Sequence, residues 1–452
     1  MKSVFSIILT SLFLTGLSTG FAQISVKNET YKLSNGLNVI LHEDHSAPLV
    51  SVNIWYHVGS KNEERGKSGF AHLFEHMLFK GSKNVPDGLM DDITDGAGGR
   101  NNGSTTVDRT NYWEDTPSNY LENMLWIESD RMGWLLSGIN IEKLDNQRDV
   151  VKNERRQNYE NRPYGLMWLN IYFKLYPESH PYHWPTIGLM EDLSAASLED
   201  VKNFFRSYYG PNNASLAIAG DINIIETIKL VEKYFGEIPS GPEVIQPVHE
   251  IPVLTEEVRF TKEDKIQLPR IYMIWHSVPL YDKDDAVLDV LGAVLSTGKN
   301  SRLFKSMIFD NPIAQDATAV QYSREIAGSF EIFVTAKPDV GLSEIENSIW
   351  MEIEKIQKSP PTQREVDRAI NGIEANFLFS IQNIGGFGGK ADRLNSYYTN
   401  TGIADGFEAD LARYFKVTPE DVQRVANKYL SRDNLIILSA VPEGNTDLQA
   451  AK

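Results

Sequence analysis

His72, Glu75 and His76 stand together inside the stretch Gly69–Gly81. On a helix, residues four apart lie on one face, so both imidazoles can reach one metal ion. Glu75 lies on the same side, placed to hold a water at that metal and take its proton. A histidine pair on a helix can also be a capping or packing feature. The neighbours argue against that here: Phe70, Leu73, Phe74, Met77, Leu78 and Phe79 predict a helix over about 67–80 that packs inside a fold. Two imidazoles and a carboxylate on a buried helix need partners, and a metal supplies one for all three.

Bulk composition narrows the chemistry. Residues 1–23 carry Lys2, an apolar run from Val4 to Leu14 and a small-residue end at Ala22. That pattern predicts a secretory signal peptide, with a retained anchor as the alternative, and hence an exported protein, periplasmic or secreted. No other segment is apolar enough to span a membrane, so no membrane insertion is expected once the signal is removed. Residues 24–452 hold 43 basic and 61 acidic residues, a net of −18 that argues against nucleic-acid partners. The chain has no cysteine. This rules out a cysteine protease, thiolate metal ligands and a lyase built on a cysteine ligand, so any zinc here must use His and carboxylate.

The elements that position these residues come twice. Pro239, Pro242, Pro247 and Pro252, with Gly241, predict a linker over 238–254 between a domain at 24–237 and a second at 255–445, with a tail at 446–452. At a constant offset of 221, Asp200, Val201, Tyr208 and Asn213 match Asp421, Val422, Tyr429 and Asn434. Each set reads as a capped helix, a turn and a buried strand. Leu37–Leu41 and Val50–His57 read as strands. The polar Asp95–Gly103 leads into a hairpin of Ser104–Val107 and Asn111–Glu114. Thr116-Pro117 opens a helix to about Leu136, and another runs from Ile141 to Tyr159. The expected fold class is α+β: two homologous layered domains, each a sheet packed with helices.

The inverted order H-x-x-E-H is a zinc-protease spacing, but a catalytic zinc takes three protein ligands. On the Ile141–Tyr159 helix, Gln147, Val150, Val151 and Glu154 share one stripe, and the two valines mark it as core-facing. Glu154 would be costly to bury unpaired, and coordination would resolve that cost. The same helix also carries Lys152, Arg155 and Arg156. Taken alone it slightly favours a surface glutamate.

Four segments resemble the pitrilysin/insulinase family of zinc peptidases, the inverzincins, and its shorter members related to mitochondrial processing peptidase. They are Gly69–Gly81, the segment from Asn102 to Tyr112, Val150–Arg155 and Ser301–Phe304. The resemblance implies two layered domains in a half-enzyme, two of which enclose a chamber. It implies Glu154, 78 positions past His76, as third zinc ligand. It implies that Asn102, Gly103, Ser104 and Thr105 form an edge to which a substrate peptide adds as a strand. The family's assisting acid falls on Gln147. An Arg and a Tyr that hold the substrate carbonyl fall on Ile308 and Gln315, which can do neither job. The resemblance therefore implies a heterodimer, with a paralogous subunit supplying the Arg/Tyr pair. At an offset of 217, His72, Glu75 and His76 fall on Asp289, Gly292 and Ala293, so the second domain should lack a metal site.

The sequence thus points to a zinc endopeptidase acting on peptides or unfolded polypeptides, with Glu75 as general base. The alternative is a non-catalytic assembly or scaffold subunit. Three further features are expected to be structural. Gly385–Ala391 has the wrong spacing for a phosphate loop and reads as an inter-helix turn. His180 and His183 read as packing residues in an aromatic loop, and Trp126 and Trp134 as core.

Overall fold

The computed structural model describes residues 24–451, and the expected signal peptide lies outside them. Among the described residues, eleven strands form two sheets. The first contains β1 (Glu29–Lys32), β2 (Asn38–Glu43), β3 (Leu49–Tyr56), β4 (Arg100–Thr105), β5 (Thr110–Pro117) and β6 (Ala214–Gly220), in the order β1-β2-β6-β3-β5-β4. The second contains β7 (Val258–Asp264), β8 (Arg270–Ser277), β9 (Ala314–Tyr322), β10 (Gly328–Ala336) and β11 (Ile436–Pro442), in the order β7-β11-β8-β10-β9. Apart from β1, the two sheets repeat one topology. A late strand, β6 or β11, inserts parallel to the first strand and antiparallel to the next.

The repeat reaches down to single hydrogen bonds. Ser197 and Asp200 form a capping box at the helix before β6, and Thr418 and Asp421 form the same box at the helix before β11. Each satisfies backbone N–H groups that the first turn leaves without partners. The two late strands are buried along their whole length, as apolar runs at the centre of covered sheets should be.

Alternation along the strands shows how the halves hold each other. Val50, Val52, Ile54 and Tyr56 of β3 face the first half's own helices. The opposite face of that sheet, with Ile40, Ala217 and Ala219, is covered by second-half residues including Phe377, Leu394, Tyr397 and Phe407. Asn395 locks the contact by donating to the Asn53 carbonyl at 2.9 Å. The second sheet reverses the arrangement: Tyr272, Ile274, Ile436 and Leu438 pack under Met167, Ile171 and Leu175 of a first-half helix. Each of the Leu, Ile, Met and Phe side chains contributes about 1.5–3 kcal/mol on burial, so each half supplies the cover that the other's sheet needs.

Local boundaries differ from expectation where pattern and context compete. β4 begins at Arg100, inside the stretch read as polar loop, because an edge strand with one side in water needs no apolar alternation. Pro117 ends β5 opposite Leu49 instead of opening a helix, and the helix starts only at Leu121. The Ile141 helix is α-helical to Arg155 and then widens into a π turn, Arg156–Glu160. Residues 239–254 form no helix or strand, and Val248 is 92% exposed. The segment after 445 does not hang free: Ala450 is buried and its N–H donates to Ser439 Oγ. Trp126 and Trp134 pack against the first core, partly buried.

Candidate metal centre

The first site element is the helix Phe70–Leu78. Its apolar residues Phe70, Leu73, Phe74, Met77 and Leu78 are buried, which fixes its rotation. His72 and His76 are then left side by side on the remaining face, with ring centroids 4.8 Å apart and planes at 84°. The second element is the helix Ile141–Arg155. Gln147 and Val151 anchor it in the core, but Val150 is 42% exposed. The core-facing stripe is thus narrower than the spacing predicts, and Glu154 sits at its margin, partly exposed.

Glu154 nonetheless meets the histidines. One carboxylate oxygen lies 3.7 Å from His72 Nε2 and 3.4 Å from His76 Nε2. The three residues offer ligand atoms all within 4.8 Å of one another, the one such group among the described residues. A tetrahedral zinc with bonds of about 2.0–2.1 Å needs ligand atoms spaced at roughly 3.4 Å. Two imidazole nitrogens and a carboxylate oxygen, with no thiolate, are a donor set that fits this ion. The charge states agree. Burial, with the neighbouring His76, pulls His72 down to about 4, so its ring is neutral and able to coordinate. The hydrogen bond to His76 lowers Glu154, despite partial burial, and keeps it ionised.

Glu75 lies on the same helix, buried, with its carboxyl raised by burial against the opposing pull of Thr105, His76 and Arg109. Its Oε2 accepts from Thr105 Oγ1 at 2.5 Å. One oxygen is thereby fixed.

Thr105 ends β4, the edge strand of the first sheet. Asn102, Gly103, Ser104 and Thr105 therefore lie on an edge, beside the histidines. Gly103 lies close under two rings there: a Cβ would stand 3.1 Å from both Phe79 and Tyr112 ring atoms. Ser104 Oγ donates to Asn111 at 2.7 Å, and Asn102 Oδ1 accepts from the Gly103 N–H. The Thr105 side chain is engaged by Glu75, so it is not free for a ligand.

Sequence reasoning missed this hydroxyl–carboxylate contact and also Arg109. The Arg109 side chain donates to the Ser104 carbonyl at 2.8 Å and packs over Trp55. Both are contacts through space, and the only available signal was the polar character of the segment itself. The remaining candidates fall elsewhere. Gln147 is buried and donates to Asn146. Ile308 packs against the second core, while Gln315 is exposed on β9. His180 stacks on Tyr176 at 4.7 Å, and His183 Nδ1 bonds the Tyr176 carbonyl. Gly385–Gly389 is a turn between helices, and Lys390 is paired with Asp44.

Comparison with known proteins points to a single peptidase family. The chain matches the insulinase family (peptidase family M16) over residues 38–171 and the peptidase M16 inactive domain over residues 195–373. It is 29% identical over 414 residues to zinc protease PqqE of Helicobacter pylori, covering 89% of this chain and 90% of that one. It is 24% identical to a probable mitochondrial-processing peptidase subunit beta of Arabidopsis thaliana, over 90% and 77% of the two chains. The crystal structure of a protease from Helicobacter pylori superposes with a TM-score of 0.85 at 28% identity, covering 93% of this chain and all of that one. The chain is built of insulinase-type domains and belongs to peptidase family M16. No helix among the described residues is long and apolar enough to cross a membrane.

Proposed function

We propose that the chain is a zinc-dependent endopeptidase that hydrolyses peptides or unfolded polypeptides. The observation that carries this reading is the approach of one Glu154 oxygen to both histidine Nε2 atoms, next to a Glu75 held by the edge strand. When bound, zinc supplies Lewis acidity that polarises a carbonyl and makes water nucleophilic near neutral pH. His72, His76 and Glu154 would hold it.

The chain's own groups do the rest. A substrate strand pairs with the exposed edge Asn102–Thr105, which brings a peptide bond alongside the helix. Glu75, with Oε2 tied to Thr105, takes a proton from the attacking water at its other oxygen. The new C–O bond forms first, and the C–N bond then breaks as Glu75 returns the proton to the leaving amine.

Ile308 and Gln315 offer no cation or phenol to the substrate carbonyl. A paralogous partner subunit that supplies an Arg/Tyr pair and closes a chamber over the edge strand completes the site. The apolar N-terminal 23 residues support export to the periplasm or beyond.

Elemental analysis of the purified chain should show zinc close to one per chain. With the partner present, Glu75→Gln should keep that zinc and lose peptide hydrolysis by about a thousandfold. Unchanged function in Glu75→Gln would instead favour the scaffold-subunit reading, and full activity of the chain by itself would remove the need for a partner.

A further inference from the structure

The start of the metal-site helix is held by an unusual route. Its N-cap is Gly69, at φ +86°, which has no side chain to accept from the first N–H groups. A capping serine or aspartate cannot replace it. A Cβ on Gly69 would stand 2.7 Å from Gly188 Cα, and one on Gly188 would stand 2.6 Å from Gly69 Cα. The two backbones touch there, so the helix start has to be satisfied from elsewhere.

Glu63 does this. It is buried, and its two carboxylate oxygens accept separately, Oε2 from Gly69 N at 3.0 Å and Oε1 from Ala71 N at 2.8 Å. Asp192 holds the residue before the cap, accepting from Ser68 N at 3.0 Å. Glu63 ends a short segment with a second set of bonds. Ser60 N donates to the Thr106 carbonyl at 3.2 Å and Lys61 N to the Val107 carbonyl at 2.9 Å. Those carbonyls belong to the turn directly after Thr105. Residues 60–63 are therefore bonded at one end to the strand that carries Thr105 and at the other to the helix that carries His72, Glu75 and His76.

We infer that Glu63 is a positioning residue for the metal centre, fixing where the His72/His76 helix stands relative to Glu154 and to the edge strand. The inference rests on the zinc reading above. A nine-residue helix has too few internal bonds to fix its own place: packing of its apolar face fixes its rotation, and its capping contacts fix where it starts. An amide at residue 63 keeps one acceptor and sets an N–H₂ against the other backbone N–H, so the helix start loses one of its two holds.

The test compares the full chain with Glu63→Gln and, as control, Glu64→Gln, whose side chain pairs with Lys67 at the surface. The zinc dissociation constant is measured by competition with a chromophoric chelator, at a temperature where all three give the same circular dichroism. The expected result is about tenfold weaker zinc binding in Glu63→Gln and none of that loss in Glu64→Gln. Affinity within twofold of the parent, or an equal loss in both variants, overturns the inference. If Glu63→Gln does not fold, amide exchange in the parent decides. Slow exchange at Gly69 and Ala71 in the metal-free chain supports the cap, and exchange at the rate of an unstructured peptide overturns it. A parent chain that binds no zinc sinks the peptidase reading, while the exchange measurement still decides whether Glu63 holds the helix.

Discussion

The two halves place a helix over the edge strand of a sheet in the same way and use it for opposite ends. In the first half, the helix Phe70–Leu78 meets β4 through polar side chains, Glu75 on Thr105. In the second, the helix Asp285–Ser296 rests directly on β9. Gly292 stands where Glu75 would be, and a Cβ there would come within 3.0 Å of the Ala319 carbonyl. Ser296 clamps the contact: its Oγ donates to the Ala319 carbonyl at 3.0 Å and accepts the Ala319 N–H at 2.9 Å. A polar pair between helix and strand leaves room and charge for chemistry, whereas a glycine contact leaves neither. The same architecture is a candidate metal centre in one half and a packed support in the other.

The largest effect that separates the halves is expected at Glu154, the proposed third ligand. Glu154→Ala should weaken zinc binding by roughly a thousandfold, because one of three proposed protein ligands would be lost. Asp289→Ala, at the second half's counterpart of His72, should leave zinc affinity unchanged. Equal losses from the two variants, measured with the same chelator competition, would show that the site does not belong to the first half alone.

A smaller effect is expected at the helix–strand contact itself. Thr105→Val keeps the shape of the strand end and removes the hydroxyl that fixes Glu75. It should lower kcat by about ten- to a hundredfold with zinc retained, the range seen when groups supporting a metal site are removed. Ser296→Ala removes the analogous clamp of the second half and should alter stability without touching kcat. A fall in kcat from both, at full zinc loading, would mean that the two contacts serve one purpose.

Much of this layout was legible in the sequence, for reasons that differ from residue to residue. The i, i+4 histidines carried their own geometry, since helical periodicity places them on one face whatever else the chain does. The two capped helices before the late strands were legible because a cap and its partner stand three residues apart. Glu154 was not fixed by its own helix. Val150 is exposed, so the periodic stripe read as pointing Glu154 inward is only partly there. Its position comes from how two helices pack, and the family resemblance supplied what the spacing could not. Thr105, Glu63 and the two covering contacts exchanged between the halves span 30, 6 to 8, and 101 and 342 residues respectively. No local pattern encodes them.

The smallest effect concerns the charge that the second half has kept. Asp289 accepts a hydrogen bond from Tyr414 at 2.8 Å, and burial, with Asp285 nearby, pushes its carboxyl up to about 7. An unfolded Asp titrates near 4, so between about pH 4 and 7 the folded chain binds more protons at this residue than the unfolded chain does. Stability from this group is full below that window and is lost as the pH rises through it. Part of the Asp289 surface stays in water, which limits the loss to at most about 2 kcal/mol. Asp289→Asn should flatten this part of the stability–pH curve, measured by urea unfolding of the metal-free chain. Zinc affinity at pH 7 should stay at the parent value, since the asparagine stands in the half without metal ligands. A slope that survives the substitution would assign the window to another buried acid such as Glu331, also raised to about 7 by burial, and would leave Asp289 ionised within the second half's core.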